Sequence, residues 1–385
     1  MLLLNNKLLK PLDFNYYFML VRIFFILLLL SFSFYSCDDS PDPAPNNGDG
    51  FDRAGLLDNI SNNIIIPAYD EFYNSLILLE ESADLFVENS DLTNLESLSE
   101  SWLNAYKLWQ YIEMFDIGLA EVINYKGKMN IYPTDTELIN NNILSGNYDL
   151  NNNNNFDARG FPALDFMLHG LAENSESIVL MYDDNSAYSN YLLSLISSMI
   201  YNTNLIIEDW NIYKDSFINS TGNTSTSSVN KVTNDFIFYF EKGFRANKFG
   251  IPAGVFSIDP LPQNIEAFYK KDVSKELAQE ALLACKSFFL GKHFNSDIYG
   301  LGLASYLDYL HTSSENHLVD QISIQFNEVE SKIDQLDNNF VFQIENNNNQ
   351  MLFTYDAIQV MVVSFKVDVL QALAISVDYV DADGD

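Results

Sequence analysis

Apolar residues recur every three or four positions through most long segments of the chain. That spacing places them on one face of an α-helix, unlike the strict alternation of a half-buried strand. The stripes lie at residues 65–86, 95–112, 188–213, 229–244, 318–336 and 355–373. Helices with one apolar face bury it against each other, so we predict an all-α protein of antiparallel helices. Residues 339–344 could instead form one short strand.

Local signals predict where two of these helices begin or end. Thr93 followed by Glu96 matches a capping box, in which both side chains bond free backbone N–H groups at a helix start. Another helix begins beyond Ser274 and ends near Gly291, because glycine readily adopts the left-handed conformation that closes a helix.

A Ser/Thr-rich break at residues 220–228 divides the helical part of the chain. Polar runs of this kind, with a glycine, are typical of loops. Because several apolar stripes lie on each side of the break, we predict two helical-bundle halves, at residues 53–219 and 229–385.

The N-terminus resembles a targeting segment. Residues 23–30 are apolar, Arg22 stands before them, and a Phe-Tyr-Ser tripeptide precedes Cys37 as in a bacterial lipobox. A transmembrane helix needs about 20 apolar residues, more than this run provides. We therefore predict a signal peptide at residues 1–36, with Met19 as the true start, and lipidation of Cys37. The alternative is an uncleaved anchor helix.

Residues 37–52 are acidic and rich in proline and glycine, a composition that predicts a disordered tether. Two or more acyl chains on Cys37 would hold such a tether stably at a membrane. The expected location is therefore the cell envelope, with a lipid anchor in the outer membrane and the protein on its periplasmic or cell-surface face.

The balance of acidic and basic residues limits the classes of partner that the chain can bind. The chain has 53 acidic and 20 basic residues, which gives a formal net charge of −33. Such a chain repels phosphate backbones, and no cluster of basic residues offsets the repulsion, so nucleic acid is not an expected partner. Cationic ligands, metal ions and basic proteins remain compatible with this charge.

Several common catalytic motifs are missing from the sequence. It has no His-Glu-x-x-His zinc motif, no Gly-x-Ser-x-Gly nucleophile motif and no glycine-rich phosphate loop with lysine. His311 and His317 are six residues apart and would point from different faces of a helix. Motifs alone therefore give no catalytic residues.

One short segment offers candidate chemistry. Pro162 suits the first turn of a helix, and Asp165 and His169 follow on one face, four residues apart. A carboxylate and an imidazole at this spacing can pair with each other or share a cation. The alternative is structural: Asp165 would serve the helix N-terminus electrostatically, and His169 would pack near the other end.

Five segments, in order, resemble blocks of the imelysin family of envelope proteins, which is nominally the M75 peptidase group and is also linked to iron-regulated and iron-uptake proteins. They are residues 101–118 (a Trp-containing helix leading to Glu113-x-Phe), 131–136 (Tyr-Pro-x-Asp135), 160–165, 247–254 (Gly-x-Pro-x-Gly) and 381–385. The resemblance implies a fold of two helical bundles related by a pseudo-repeat.

The chain departs from the family at its signature, Gly-x-His-x-x-Glu, which falls on Gly160 to Asp165. Pro162 stands in place of the histidine and Asp165 in place of the glutamate. The metal site that the family implies, His plus Glu, therefore does not carry over. Asp165 carries over alone, with Glu113 and Asp135 as candidate neighbours in the same crevice and His169 as a candidate replacement nitrogen.

Three hypotheses follow. The first is a non-enzymatic, lipid-anchored protein that binds a ligand in a crevice between its bundles and acts beside an outer-membrane uptake receptor. Its family-implied cargo would be iron or another divalent cation. The second is an M75-type metallopeptidase, which the missing signature histidine and the absent zinc motif disfavour. The third is a structural or adaptor surface lipoprotein whose acidic face docks a basic partner.

Overall fold

Helices make up every regular element in the part of the chain that the computed structural model describes, residues 49–310 and 317–379. The predicted all-α fold is confirmed. The first-half α-helices are Arg53–Asn59 (α1), Ile66–Glu88 (α2), Leu92–Trp109 (α3), Leu119–Val122 (α4), Tyr125–Met129 (α5), Thr136–Ser145 (α6), Gly160–His169 (α7), Ser175–Asp184 (α8) and Ser186–Asn219 (α9). Beyond residue 220 they are Ser228–Phe238 (α10), Ile251–Ala253 (α11), Ser274–Leu290 (α12), Leu303–Leu310 (α13), Leu318–Asp334 (α14), Phe340–Val363 (α15) and Leu370–Ala372 (α16).

Three π-helical segments join some of these helices without a break. Ile60–Ile65 connects α1 to α2, Tyr239–Gly250 connects α10 to α11, and Ser364–Val369 connects α15 to α16. Two short 3₁₀ turns, Asn153–Ala158 and Pro262–Asn264, precede α7 and the loop that leads to α12.

Two local predictions are wrong. The cap of α3 is Asp91, whose carboxylate accepts a hydrogen bond from the Asn94 N–H, so Thr93 lies inside the helix and forms no capping box. The proposed strand at residues 339–344 is the start of α15, where the Asn339 side chain accepts from the Phe342 N–H. The predicted end of α12 is confirmed, since Gly291 closes that helix with φ of +72°.

Aromatic side chains fill much of the core in both halves. In the first half, the rings of Tyr106 and Phe161 stack in parallel with centroids 4.2 Å apart. In the second, Phe365 contacts Phe236 and Phe240 edge-on with centroids 5.0 and 5.1 Å away. Each fully buried aromatic side chain contributes about 1.5–3 kcal/mol by leaving water, so these clusters are major sources of stability.

The described residues belong to one compact unit, residues 47–385. A helix ends at Asn219 and the next begins at Ser228, where the sequence predicts the boundary between the halves. Contacts cross this boundary, among them an ion pair of 2.6 Å between Lys107 on α3 and Glu276 on α12. The pseudo-repeat between the halves stays a prediction.

Within the described ranges, no helix combines the length and the apolar character needed to cross a bilayer. The predicted signal peptide, the lipidation site Cys37, most of the tether, His311 and residues 381–385 lie outside the described residues. Those predictions therefore stay predictions.

Candidate functional site

The signature segment begins with a turn that only glycine fits well. Gly160 has φ of +71°, and a Cβ atom there would lie 2.1 Å from the carbonyl oxygen of Met129. The guanidinium of the preceding Arg159, which is 3% exposed, donates to the carbonyl of Gly127 over 3.1 Å and to that of Leu150. Together, Arg159 and Gly160 fix the start of α7 against α5.

Asp165 on α7 is 1% exposed, and hydrogen bonds from within the chain occupy both of its carboxylate oxygens. Oδ1 lies 3.0 Å from Nδ1 of His169 and accepts from the N–H of Lys270 over 2.9 Å. Oδ2 accepts from the N–H of Tyr269 over 2.8 Å. The other imidazole nitrogen, Nε2 of His169, lies 2.8 Å from the hydroxyl of Ser99. The spacing of four residues therefore does bring Asp165 and His169 together. Asp165 also binds the second half of the chain through the N–H groups of Tyr269 and Lys270.

The second-half segment that Asp165 holds has an unusual backbone. Ala267 and Lys271 have φ of +58° and +67°, in the left-handed region that residues with a side chain rarely adopt. Between them, the N–H groups of Tyr269 and Lys270 both point at one carboxylate. Successive backbone N–H groups form an anion-binding concavity, and here Asp165 supplies the anion.

A crevice of about 200 Å³ opens beside this contact, with walls from both halves. Its first-half wall includes Tyr132, Pro162 and Asp165, and its second-half wall includes Gln263 and Tyr269. Three aromatic residues, two threonines, one glutamine and four aliphatic residues line it, with Asp165 as the single acid in the lining. Such a lining suits an organic molecule held by packing and a few hydrogen bonds.

Two other predicted site residues do not line the crevice, although Asp135 stands between Thr134 and Thr136, which do. Asp135 is exposed and caps α6, where its carboxylate accepts from the Leu138 N–H over 2.9 Å. Glu113 is 9% exposed and belongs to a buried polar network. The structure thus brings Asp165 and His169 into contact, but places Asp135 and Glu113 in different surroundings.

The buried network joins the end of α3 to the second half. The ammonium group of Lys248 donates to the Gln110 side-chain oxygen over 2.8 Å and to the carboxylate of Glu266. The other Glu266 oxygen accepts from Asn130 Nδ2 over 2.9 Å, and the same nitrogen reaches Glu113 over 3.1 Å. Lys248 and Glu266 are each 3% exposed. Two carboxylates and one ammonium group therefore share a site with little access to water.

This environment acts on Glu113. Burial raises the pKa of its carboxyl; the ammonium group of Lys248 opposes the rise and the charge of Glu266 adds to it. Oε2 of Glu113 is buried and has no hydrogen-bond partner among the described residues. A protonated Glu113 would remove the repulsion between the two carboxylates, because a neutral acid has lower desolvation and Coulomb costs.

The residues at the signature do not fit the metal that the family implies. Pro162 offers no ligating atom, both oxygens of Asp165 accept hydrogen bonds, and both nitrogens of His169 have polar partners. Within residues 49–310 and 317–379, no three or more His, Cys, Asp or Glu side chains come together in a way that could hold a metal ion.

Sequence reasoning missed several residues at this site. Lys248 lies inside the segment 247–254 that resembles the family, and a lysine among apolar helix positions is a usable signal. Glu266 has no such signal, because it lies in an irregular loop and meets its partners only through the tertiary fold. The backbone N–H groups that bind Asp165 cannot be read from side-chain patterns at all.

A second charged cavity, of about 230 Å³, lies near the end of the described chain and includes Asp116, Lys126, Asp235 and Asp378 in its walls. Burial raises the pKa of Asp235 to about 8; Lys126 opposes the rise and Asp116 adds to it. Oδ2 of Asp235 accepts from the Asp116 N–H over 3.1 Å. Asp235 is therefore expected to titrate near pH 8.

This titration predicts a pH dependence of stability. Between the ordinary pKa of 3.8 and about 8, the folded chain keeps a proton on Asp235 that the unfolded chain has lost. Stability should therefore fall as pH rises through that window, because the folded state binds more protons. Urea unfolding should show that the free energy of unfolding falls less between pH 5 and pH 9 in Asp235→Asn than in wild type. The exposed control Asp84→Asn should behave as wild type, and equal losses in all three would contradict the assignment.

Comparisons with known proteins agree with the fold. The family model for imelysin, Peptidase_M75, matches residues 65–362. An imelysin-like protein from Psychrobacter arcticum is 17% identical with a TM-score of 0.66, over 85% of this chain and 97% of that one. A candidate iron-regulated protein A precursor from Parabacteroides distasonis is 13% identical with a TM-score of 0.69, over 84% and 95%. No curated protein matches the chain.

Proposed function

The chain belongs to the imelysin family, and from that premise we propose that it is a lipid-anchored, non-enzymatic envelope protein that binds a small ligand between its two halves. The lipobox-like segment before Cys37 and the acidic tether after it support the anchor. The crevice that Tyr132, Pro162 and Gln263 line supports the binding role. The protein would act as an accessory component beside an outer-membrane uptake receptor.

The crevice between the halves is the observation that carries the binding role, and the hydrogen bonds of Asp165 indicate the kind of ligand. Asp165 faces the crevice, yet three donors from within the chain already occupy its oxygens. An ionised carboxylate has about four lone-pair sites, so a bare cation would find at most one of them, on Oδ2, unless it displaced a donor from residues 269–270 or His169. A ligand that packs on aromatic and hydroxyl groups needs no such change.

Iron is the cargo class that we propose, because the family resemblance implies it; one solved neighbour is described as a candidate iron-regulated protein precursor. Given the occupied carboxylate, we expect iron to enter as a complex with an organic ligand and not as a free ion. Ferric citrate is a suitable small probe for a crevice of about 200 Å³, and haem serves as a larger one.

Equilibrium dialysis of the detergent-solubilised full chain tests this proposal. Wild type should retain ferric citrate. Gln263 lines the crevice and is exposed, so a tryptophan there should fill the crevice without preventing folding. We expect Gln263→Trp to bind at least about tenfold more weakly, a loss of about 1.4 kcal/mol of binding free energy. Gln335→Trp, at another exposed glutamine, should bind as wild type.

Other outcomes separate the alternatives. Retention of free Fe(II) that is lost in Asp165→Ala would establish a direct metal site and contradict the proposal. Cleavage of an unfolded protein substrate that a chelator stops would favour the metallopeptidase, because metal-assisted hydrolysis needs a bound, activated water. Absence of every small ligand, with a basic partner that dissociates in salt, would favour the adaptor.

A further inference from the structure

A larger cavity, of about 290 Å³, lies between the two halves at a different place from the crevice. Its walls come from the start of α2, the turn after α3, the exposed side of α12 and the loop after α12. Ala68, Met114, Phe115 and Phe288, each at most 2% exposed, form its apolar floor. Its volume is close to the lower limit of about 300 Å³ for cavities that bind small molecules.

The cavity continues along α12. A neighbouring cavity of about 240 Å³ shares Leu283, Ser287 and Lys292 with it. Leu283 is 47% exposed and gives this side of α12 an apolar patch, while Glu280, Lys286 and Glu330 add charged groups to the walls of the second cavity. The two cavities form one groove with Lys292 at its middle.

Hydrogen bonds hold the loop after α12, which forms the rim. Nδ2 of Asn59 donates to the carbonyls of Gly291 and Leu301 over 3.0 and 2.9 Å. The N–H of Phe294 donates to the carbonyl of Asn63 over 2.8 Å, and its ring meets Tyr111 edge-on at 5.4 Å. The rim is thus preorganised, which reduces the entropy lost when a ligand binds.

A charged side chain at the rim indicates which charge the polar end of a ligand should have. The charged side chains in the lining of the larger cavity are Lys292 and Asp297. The ammonium group of Lys292 lies 3.1 Å from Asp297, but that carboxylate is fully exposed, and such surface pairs contribute little. An anion placed over the apolar floor would be less exposed to water than the Asp297 carboxylate. It would therefore pair with Lys292 more strongly than Asp297 does.

We propose that this cavity binds a small aromatic anion, with its ring on the floor formed by Phe115 and Phe288 and its carboxylate or sulfonate at Lys292. Four aromatic residues line the cavity, Tyr111, Phe115, Phe288 and Phe294. Aromatic rings pack on one another in offset or edge-on arrangements that add to the effect of burial. A charged hydrogen bond to Lys292 would fix the orientation. This site is independent of the crevice and of iron.

Isothermal titration of the full chain with naphthalene-2-sulfonate, in matched detergent, tests the site. We expect saturable binding at one molecule per chain. Lys292→Gln should weaken it at least about tenfold, because the variant loses a charge-assisted hydrogen bond to the anion. Ser287→Trp should abolish it by filling the groove, and Leu283→Trp, at a more exposed position, does the same should the first variant fail to fold.

Two control variants make the result decisive. Lys332→Gln, which removes a partly exposed lysine on α14, should bind as wild type. Gln263→Trp should also bind as wild type, because it fills only the crevice. Absence of binding, unchanged affinity in Lys292→Gln, or loss of binding in Gln263→Trp would each overturn the proposal.

Discussion

Replacing Lys248 by methionine is expected to lower the free energy of unfolding by about 3–5 kcal/mol, among the largest effects of any single substitution in the chain. The ammonium group of Lys248 is the cation that pairs with Glu266, and both residues are 3% exposed. Its removal leaves the Glu266 carboxylate buried beside Glu113 without a compensating charge, and leaves Gln110 Oε1 without its donor. Chemical denaturation by urea, followed by circular dichroism, measures the loss.

A surface lysine provides the matched control. Lys332 pairs with Glu328 over 3.2 Å on α14, where the side chains are 31% and 58% exposed. Lys332→Met should cost no more than about 1 kcal/mol, because water and salt already screen that pair. Adding Glu266→Gln to Lys248→Met should recover part of the loss, since it removes the uncompensated charge. A loss in Lys248→Met as small as in Lys332→Met would mean that water reaches the network.

The fold could be predicted from the sequence because its helices carry their own local signals. Apolar stripes at intervals of three and four residues depend only on the helical repeat, so they hold in any tertiary context. The positions of helix ends are harder to predict, because neighbouring side chains compete to cap the same backbone N–H groups. At the start of α3, Asp91 caps the helix two residues before Thr93, since its carboxylate reaches the Asn94 N–H. The stretch after Asn339 carries strand-forming residues but follows a helix cap, and the helix prevails.

Only the part of the candidate site that lies within one helix could be predicted. The four-residue spacing of Asp165 and His169 depends on the helical repeat, and the two side chains do meet. The other partners of Asp165 are backbone N–H groups of Tyr269 and Lys270, about a hundred residues further along the chain. A backbone donor has no side-chain signature, so no pattern could reveal that this carboxylate is occupied.

The same limit explains Glu113. As an acid in a family-like segment, it is a reasonable ligand candidate from sequence. Its neighbour Asn130 is 17 residues away and its neighbours Lys248 and Glu266 come from the second half, and together they make it part of a buried network. Whether a carboxylate faces a crevice or a buried ammonium group depends on packing between the halves, which composition and spacing do not encode.

Gly160→Ala is expected to destabilise the chain by about 2–5 kcal/mol, because two independent costs act at that position. A side chain at φ of +71° costs about 1–2 kcal/mol. Overpacking adds typically 1–3 kcal/mol, since the new Cβ would lie 2.1 Å from the backbone carbonyl oxygen of Met129, which cannot rotate away as a side chain could. Urea unfolding measures the loss, and a second glycine with a similar φ provides the comparison.

Gly146 is that second glycine, because it has φ of +61° at the end of α6 and a Cβ atom added there would meet no other atom within 4 Å. Gly146→Ala therefore bears only the backbone cost, and should lose about 1–2 kcal/mol. The difference between the two variants isolates the contact of α7 with the Met129 carbonyl. Equal losses would mean that α7 can shift away from α5. A larger loss in Gly160→Ala would mean that this glycine fixes α7, and with it Pro162 and Asp165, at the wall of the crevice.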